Sequence, residues 1–192
     1  MNKLVYLPQM IQIGSTGRNS GKTVVAKKLI QRFKQQHTLV ALKIITITGA
    51  RGKCQRGGVG CGICTSIDAG FELIEETNHL GKKDTMELLK AGCQQVFLLK
   101  AFKDSLLDGF KSFLAAIPDS ACIICESNSI RDCVRPGIFL MLNNQKKQIK
   151  PTAASVYDLA DLVLTAPTDQ ELMQINIQET MAQQLVWATR TA

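Results

Sequence analysis

Residues 14 to 23 read Gly-Ser-Thr-Gly-Arg-Asn-Ser-Gly-Lys-Thr, a run of small residues that ends in a lysine and a hydroxyl. Such a run suits a phosphate. Small residues let successive backbone N–H groups close around an anion without Cβ obstruction, and the positive end of a following helix points at the same place. In the pattern G-x-x-x-x-G-K-[ST] the lysine supplies a point charge for the outer phosphates and the hydroxyl ligates Mg²⁺. Gly21, Lys22 and Thr23 fill those places. Thr16 stands where the strict pattern has glycine, between Gly14 and Gly17, so the expected cradle is Thr16, Gly17, Arg18, Asn19, Ser20 and Gly21, followed by Lys22 and Thr23.

The flanks supply the strand and helix that such a loop needs. Met10-Ile11-Gln12-Ile13 precedes it, and after Lys22 the apolar residues Val25, Ala26, Leu29, Ile30 and Phe33 fall on one helical face. Lys27, Lys28, Gln31, Arg32 and Lys34 fall on the other. Further strands are expected at 38–46, 95–100, 121–126, 138–142 and 161–165, and helices at 84–92, 104–117, 155–160 and 168–189. Residues 67–80 read equally as a hairpin around Asp68-Ala69-Gly70 or as a short helix. Alternating strands and helices predict an α/β fold with a mostly parallel central sheet covered on both faces, so that ligands sit at the carboxyl ends of strands. The 192 residues, 45% of them hydrophobic, fit one domain with a Cys- and Gly-rich insertion at 48–66.

Charge is unevenly placed. Residues 1–67 hold eleven Lys or Arg and no Asp or Glu, whereas the rest holds twelve bases and sixteen acids, giving +11 and −4. A basic first third around a phosphate loop draws a polyanionic ligand. Two Tyr and one Trp, none interleaved with the bases, argue against nucleic acid. The apolar runs are strand-length, and the N-terminus lacks the pattern of a signal segment, so neither a membrane span nor export is expected. Seven cysteines, an odd number, beside a nucleotide-type loop point to a reducing cytoplasm.

Polar residues that interrupt or end apolar strands are the next candidates. Lys43 lies within a β-branched run, where a buried ammonium is costly unless paired; a snorkelling lysine near a sheet edge is the alternative. Glu126 closes Ala121-Cys122-Ile123-Ile124-Cys125 and is followed by Ser127, Asn128 and Ser129. Its carboxylate is placed either to hold Mg²⁺ or to be a solvated strand end.

The loop, Lys43 in Ala-Leu-Lys-Ile, the stretch from Lys83-Asp84-Thr85 to Ala91-Gly92, and Glu126 together resemble the family of molybdopterin-guanine dinucleotide biosynthesis protein B. The chain is similar, more distantly, to dethiobiotin synthetase, which also carries threonine at the position of Thr16. The resemblance spans roughly residues 10–165, and the loop is its most specific part. It implies a three-layer P-loop NTPase fold, with Thr23, Asp84 and Glu126 around Mg²⁺, Lys22 and the loop amides on the phosphates, and Lys43 facing the transferred or hydrolysed group. Asp84 has a second role open to it, as a helix cap. There is no Asn/Thr-Lys-x-Asp stretch for reading guanine; Asn143-Asn144 and Thr165 to Thr168 are the candidates for a base pocket, and ATP and GTP both stay open. The implied activity is a Mg²⁺-dependent NTPase in synthesis or insertion of a molybdopterin-type or other metal cofactor. A small-molecule ligase resembling dethiobiotin synthetase and a nucleotide-switched metallochaperone or adaptor are the alternatives.

Cys54-x6-Cys61-x2-Cys64 is not part of that resemblance. A C-x2-C step lets two thiolates from one turn reach one metal. Zinc, an iron–sulfur cluster or transferable metal site, a redox Cys-Gly-Ile-Cys pair and free structural cysteines all remain open; a metal would take Cys133, a non-protein ligand or a twofold-related copy as its fourth ligand. Arg51, Lys53 and Arg56 would face an anionic cofactor or a cofactor-biosynthesis enzyme. The incomplete cysteine set and the resemblance both favour a homodimer. Cys122 and Cys125, three apart in a strand, should face opposite sides of the sheet as core, and Cys93 should also be core.

Overall fold

The computed structural model describes residues 4–50, 62–68, 70–145 and 149–189. In chain order the elements are β1 (Val5–Ser15), α1 (Lys22–Phe33), β2 (Leu39–Ile47), β3 (Phe71–Glu75), α2 (Asp84–Ala91), β4 (Gln95–Phe102), α3 (Leu106–Ala115), β5 (Cys122–Glu126), β6 (Val134–Leu142), α4 (Pro151–Ala154), β7 (Leu162–Leu164), α5 (Asp169–Leu172), β8 (Ile175–Glu179) and β9 (Leu185–Thr189). The first seven strands make one sheet in the order β3-β4-β2-β5-β1-β6-β7, and β8 pairs with β9 in a separate hairpin. Every pairing in the large sheet is parallel except β3 with β4. The fold is therefore α/β with a mostly parallel seven-stranded sheet.

The inner strands are nearly continuous apolar runs because both of their faces are covered. On one face Ile11, Ile13, Leu39, Ala41 and Ile124 pack with Val25, Leu29 and Phe33 of α1, Leu88 of α2 and Trp187 of β9. On the other, Met10, Val40, Leu42 and Ile123 pack with Leu106, Phe110 and Phe113 of α3. Cys122 joins the first cluster and Cys125 the second, as their spacing in a strand requires. Burial pushes the Cys93 thiol up to about 12 and that of Cys122 up to about 11, and raises Cys125 as well, with the Glu126 carboxylate adding to the last. All three thiols stay protonated at pH 8. Iodoacetamide at that pH should leave them unmodified in the native chain and label them after unfolding, read by peptide mass mapping; native labelling would contradict this packing.

Strand β1 carries an irregularity that Gly137 accommodates. Leu7 pairs with Pro136 and Ile11 with Ile138, so the register shifts around Pro8, which has no N–H to give to the ladder. A Cβ on Gly137 would lie 2.2 Å from the Pro8 carbonyl oxygen and 2.9 Å from that of Trp187. Both obstacles are backbone and cannot rotate away. Gly137→Ala should lower the free energy of unfolding by about 3 kcal/mol, measured by urea denaturation; an unchanged midpoint would show that the strands part freely there.

Four expected elements are corrected. The helix predicted over 168–189 begins as expected, with a capping box between Thr168 and Glu171, but ends at Leu172. Ile175 and Ile177 are then buried at a spacing of two, opposite Thr189 and Trp187, so a hairpin replaces the rest of the helix. Residues 67–80 form neither a hairpin of their own nor a helix: β3 pairs with the later β4. The helix placed at 155–160 is α4 four residues earlier, followed by a 3-10 turn at Tyr157–Leu159, because Pro151 starts the helix at its first position. The expected strand at 138–142 begins at Val134. Among the described residues no helix is long and apolar enough to cross a membrane.

Candidate functional site

The loop between β1 and α1 is tied down on both sides, and the ties explain its sequence. Gln12, an amide inside the run from Met10 to Ile13, is fully buried and donates through Nε2 to the carbonyls of Ser127 at 2.8 Å and Asn128 at 3.2 Å. Asn128 then clamps Ser15 in both directions: Ser15 N donates to Oδ1 at 2.8 Å, and Nδ2 donates to the Ser15 carbonyl at 3.0 Å. A Cβ on Gly14 would lie 2.8 Å from that same Asn128 Oδ1. The turn after β5 therefore sets the start of the loop.

Thr16 anchors the other side. Its side chain is buried, its Oγ1 donates to Asn144 Oδ1 at 2.9 Å and accepts from Asn144 N at 3.0 Å, and its backbone N–H donates to Leu142 O at 3.0 Å. This is why threonine stands where the strict pattern has glycine. The close approach falls one residue later: a Cβ on Gly17 would lie 1.8 Å from Asn144 Nδ2. Gly21, the N-cap of α1, has φ +82° and open space around it, so its requirement is conformational rather than steric. Asn19, at φ 54°, is also left-handed. Ser20 Oγ donates to Gly17 O at 3.0 Å, closing the turn.

Lys22 Nζ donates to Ser15 Oγ at 2.8 Å, and that hydroxyl donates to Gly17 O at 2.9 Å, so the ammonium is held back over the loop. Thr23 follows in the first turn of α1, half-buried.

Lys43, Asp84 and Glu126 come together from three elements. Lys43 on β2 and Glu126 on β5 are direct neighbours in register. Glu126 has a side chain only 1% exposed, with Lys43 Nζ 3.4 Å from its Oε2. Its Oε1 is buried and finds no hydrogen-bond donor among the described residues. Lys43 also donates to Asp84 Oδ2 at the start of α2. Two alternatives left open by the sequence are thereby resolved. Lys43 is on an inner strand and paired, not snorkelling at an edge, and Glu126 is not a solvated terminus. Asp84 does not cap α2: the N-cap is Lys83, with no side-chain cap bond. Its negative charge in the first turn still suits the helix dipole.

A cleft of about 460 Å³ opens here, and among the described residues its lining includes Arg18, Lys22, Lys43 and Lys150 against one carboxylate, Glu126. A second, of about 540 Å³, lies on the other side of the loop and shares Asn19 with the first. It is lined by Gly21, Val24 and Lys28 of the loop and α1, by Asn143 and Asn144 after β6, and by Thr165, Ala166 and Pro167 after β7. The two separate stretches proposed for a base thus border one cavity.

The fit of Mg²⁺ can be judged from Glu126. A buried carboxylate oxygen without a donor among the described residues, joined through Lys43 to a second carboxylate, is a hard-oxygen pair of the kind Mg²⁺ takes, its remaining positions going to water and phosphate. Among the described residues no group of three or more His, Cys, Asp or Glu side chains is placed to hold a metal.

The cysteine proposal is divided. Cys54 and Cys61, like Arg51, Lys53 and Arg56, lie outside the described residues. Cys64 is buried against Ile47 and Ile67, at the carboxyl ends of β2 and β4. Cys133 precedes β6 at the other end of the sheet, where Val5 N donates to its carbonyl. At ~3.3 Å per strand residue the separation is on the order of 30 Å. Cys133 therefore cannot be a fourth ligand beside Cys64. Gln12 and Asn128 carry no motif; the one sequence signal was an amide inside Met10-Ile11-Gln12-Ile13.

Compared with protein-family models, curated proteins and solved structures, the chain matches none.

Proposed function

We propose that this chain is a Mg²⁺-dependent nucleoside-triphosphate-binding protein of the P-loop kind and an NTPase. The observation that carries the reading is the single cleft that gathers Lys22, Lys43 and Glu126 beside the glycine loop, with Ser15, Thr46 and Glu126 lining it from the carboxyl ends of β1, β2 and β5. The triphosphate would lie over residues 16–22 and the base in the second cavity, between Asn144 and Pro167, with Asn19 at the junction. Lys22 would leave Ser15 for the outer phosphates, and Thr23, Asp84 and Glu126 would hold Mg²⁺. The metal, when bound, neutralises charge that builds on the phosphate oxygens. Lys43 would face the transferred group and stabilise it electrostatically.

The resemblance supports a place in synthesis or insertion of a molybdopterin-type or other metal cofactor, with a cofactor-biosynthesis enzyme as partner, and a cytoplasmic homodimer as its setting. The ligase reading has one feature in its favour: away from the loop the cleft is lined by Thr46, Thr48, Ser129 and Thr152, hydroxyls suited to a small polar acceptor. Equilibrium dialysis of the purified chain with ATP and with GTP tests the proposal. At least one should bind with Kd on the order of micromolar in the presence of Mg²⁺; if neither binds, the proposal is wrong.

A further inference from the structure

The strand register makes Lys43 and Glu126 neighbours whatever else the cleft contains. A carboxylate that is 1% exposed needs a counter-charge, and Lys43 supplies it through Oε2 at 3.4 Å while also binding Asp84, whose side chain is 50% exposed. One ammonium thus serves two carboxylates and leaves Glu126 Oε1 unsatisfied among the described residues. Two negative charges and an orphaned oxygen match a divalent cation better than a single ammonium. Ammonium and divalent cation side by side would repel. The lysine stem is flexible, and Lys43 lines the same cleft as Lys22 and Arg18.

We propose that Lys43 is the stand-in cation of the Asp84–Glu126 pair: it is exchanged for a divalent metal, and the exchange frees its ammonium for the phosphate side of the cleft. This rests on the nucleotide reading for its purpose, but not for its geometry. Lys43 would then be withheld from the phosphates until metal has arrived, so that metal-free nucleotide meets an incomplete site.

The test uses Mn²⁺ without nucleotide, followed by the loss of the free-ion EPR signal. Lys43→Met should bind Mn²⁺ at least about tenfold tighter than the parent, and adding Glu126→Gln should remove the gain. Equal or weaker binding by Lys43→Met, or a gain that survives Glu126→Gln, would overturn the proposal. Should Lys43→Met fail to fold, labelling of the parent decides. With Mn²⁺ present, acetic anhydride should modify Lys43 several-fold faster, by peptide mass mapping, and an unchanged or slower rate would refute the exchange. Because neither readout contains nucleotide, exchange without nucleotide binding would sink the proposed function alone, and nucleotide binding without exchange would sink this inference alone.

Discussion

Replacing Lys22 with alanine is expected to weaken binding of Mg²⁺-nucleotide about 100-fold, a loss of ~2.7 kcal/mol. A hydrogen bond from a charged donor contributes about 1.5–3 kcal/mol, and Lys22 would direct its charge at the most highly charged part of the ligand. The fold should survive the change. Lys22 opens α1 and is only half-buried, and alanine is the best helix former, so the circular dichroism spectrum and the thermal midpoint should stay close to the parent's. Isothermal titration of parent and variant with ATP and GTP reads the effect. Equal affinities would place the nucleotide elsewhere.

Glu126→Gln should abolish the metal dependence of that binding. In the parent, Mg²⁺ should strengthen nucleotide binding at least about tenfold; in the variant, affinities with and without Mg²⁺ should agree within about twofold. The amide keeps the shape and removes the charge of a side chain that is 1% exposed, where solvent screens little. Asp84→Asn, at a half-exposed position, should have a smaller effect, because water screens the lost charge. Titrations with Mg²⁺ and with EDTA distinguish the two variants, and a Glu126→Gln protein that keeps full Mg²⁺ dependence would remove Glu126 from the metal site.

Much of this arrangement was legible in the chain because it depends on local spacing. The apolar face from Val25 to Phe33 and the unbroken runs of β2 and β5 define elements whose faces are set by periods of 3.6 and 2, and the opposite burial of Cys122 and Cys125 follows from the second. What escaped depends on partners far apart in sequence. The pairing of Gln12 and Ser15 with residues 127 and 128 spans over a hundred positions, and no short-range pattern encodes it. The C-terminal hairpin was missed for another reason. The Thr168–Glu171 capping box starts a true helix, and the turn that ends it has no glycine or proline signal; Trp187 packing edge-on against Phe33 at 5.4 Å decides for strand. Thr16 departs from the strict motif, and its bond to Asn144, 128 positions away, is what no local spacing encodes.

The site should also declare itself directly. Amide hydrogen exchange, read by mass spectrometry with and without Mg²⁺-nucleotide, reports where the backbone becomes protected. Bound phosphates should slow exchange across residues 15–23, with a smaller effect at 143–145 and 165–167 where the base would rest. Unchanged exchange over 15–23 while nucleotide is demonstrably bound would contradict the assignment of this loop as the phosphate cradle.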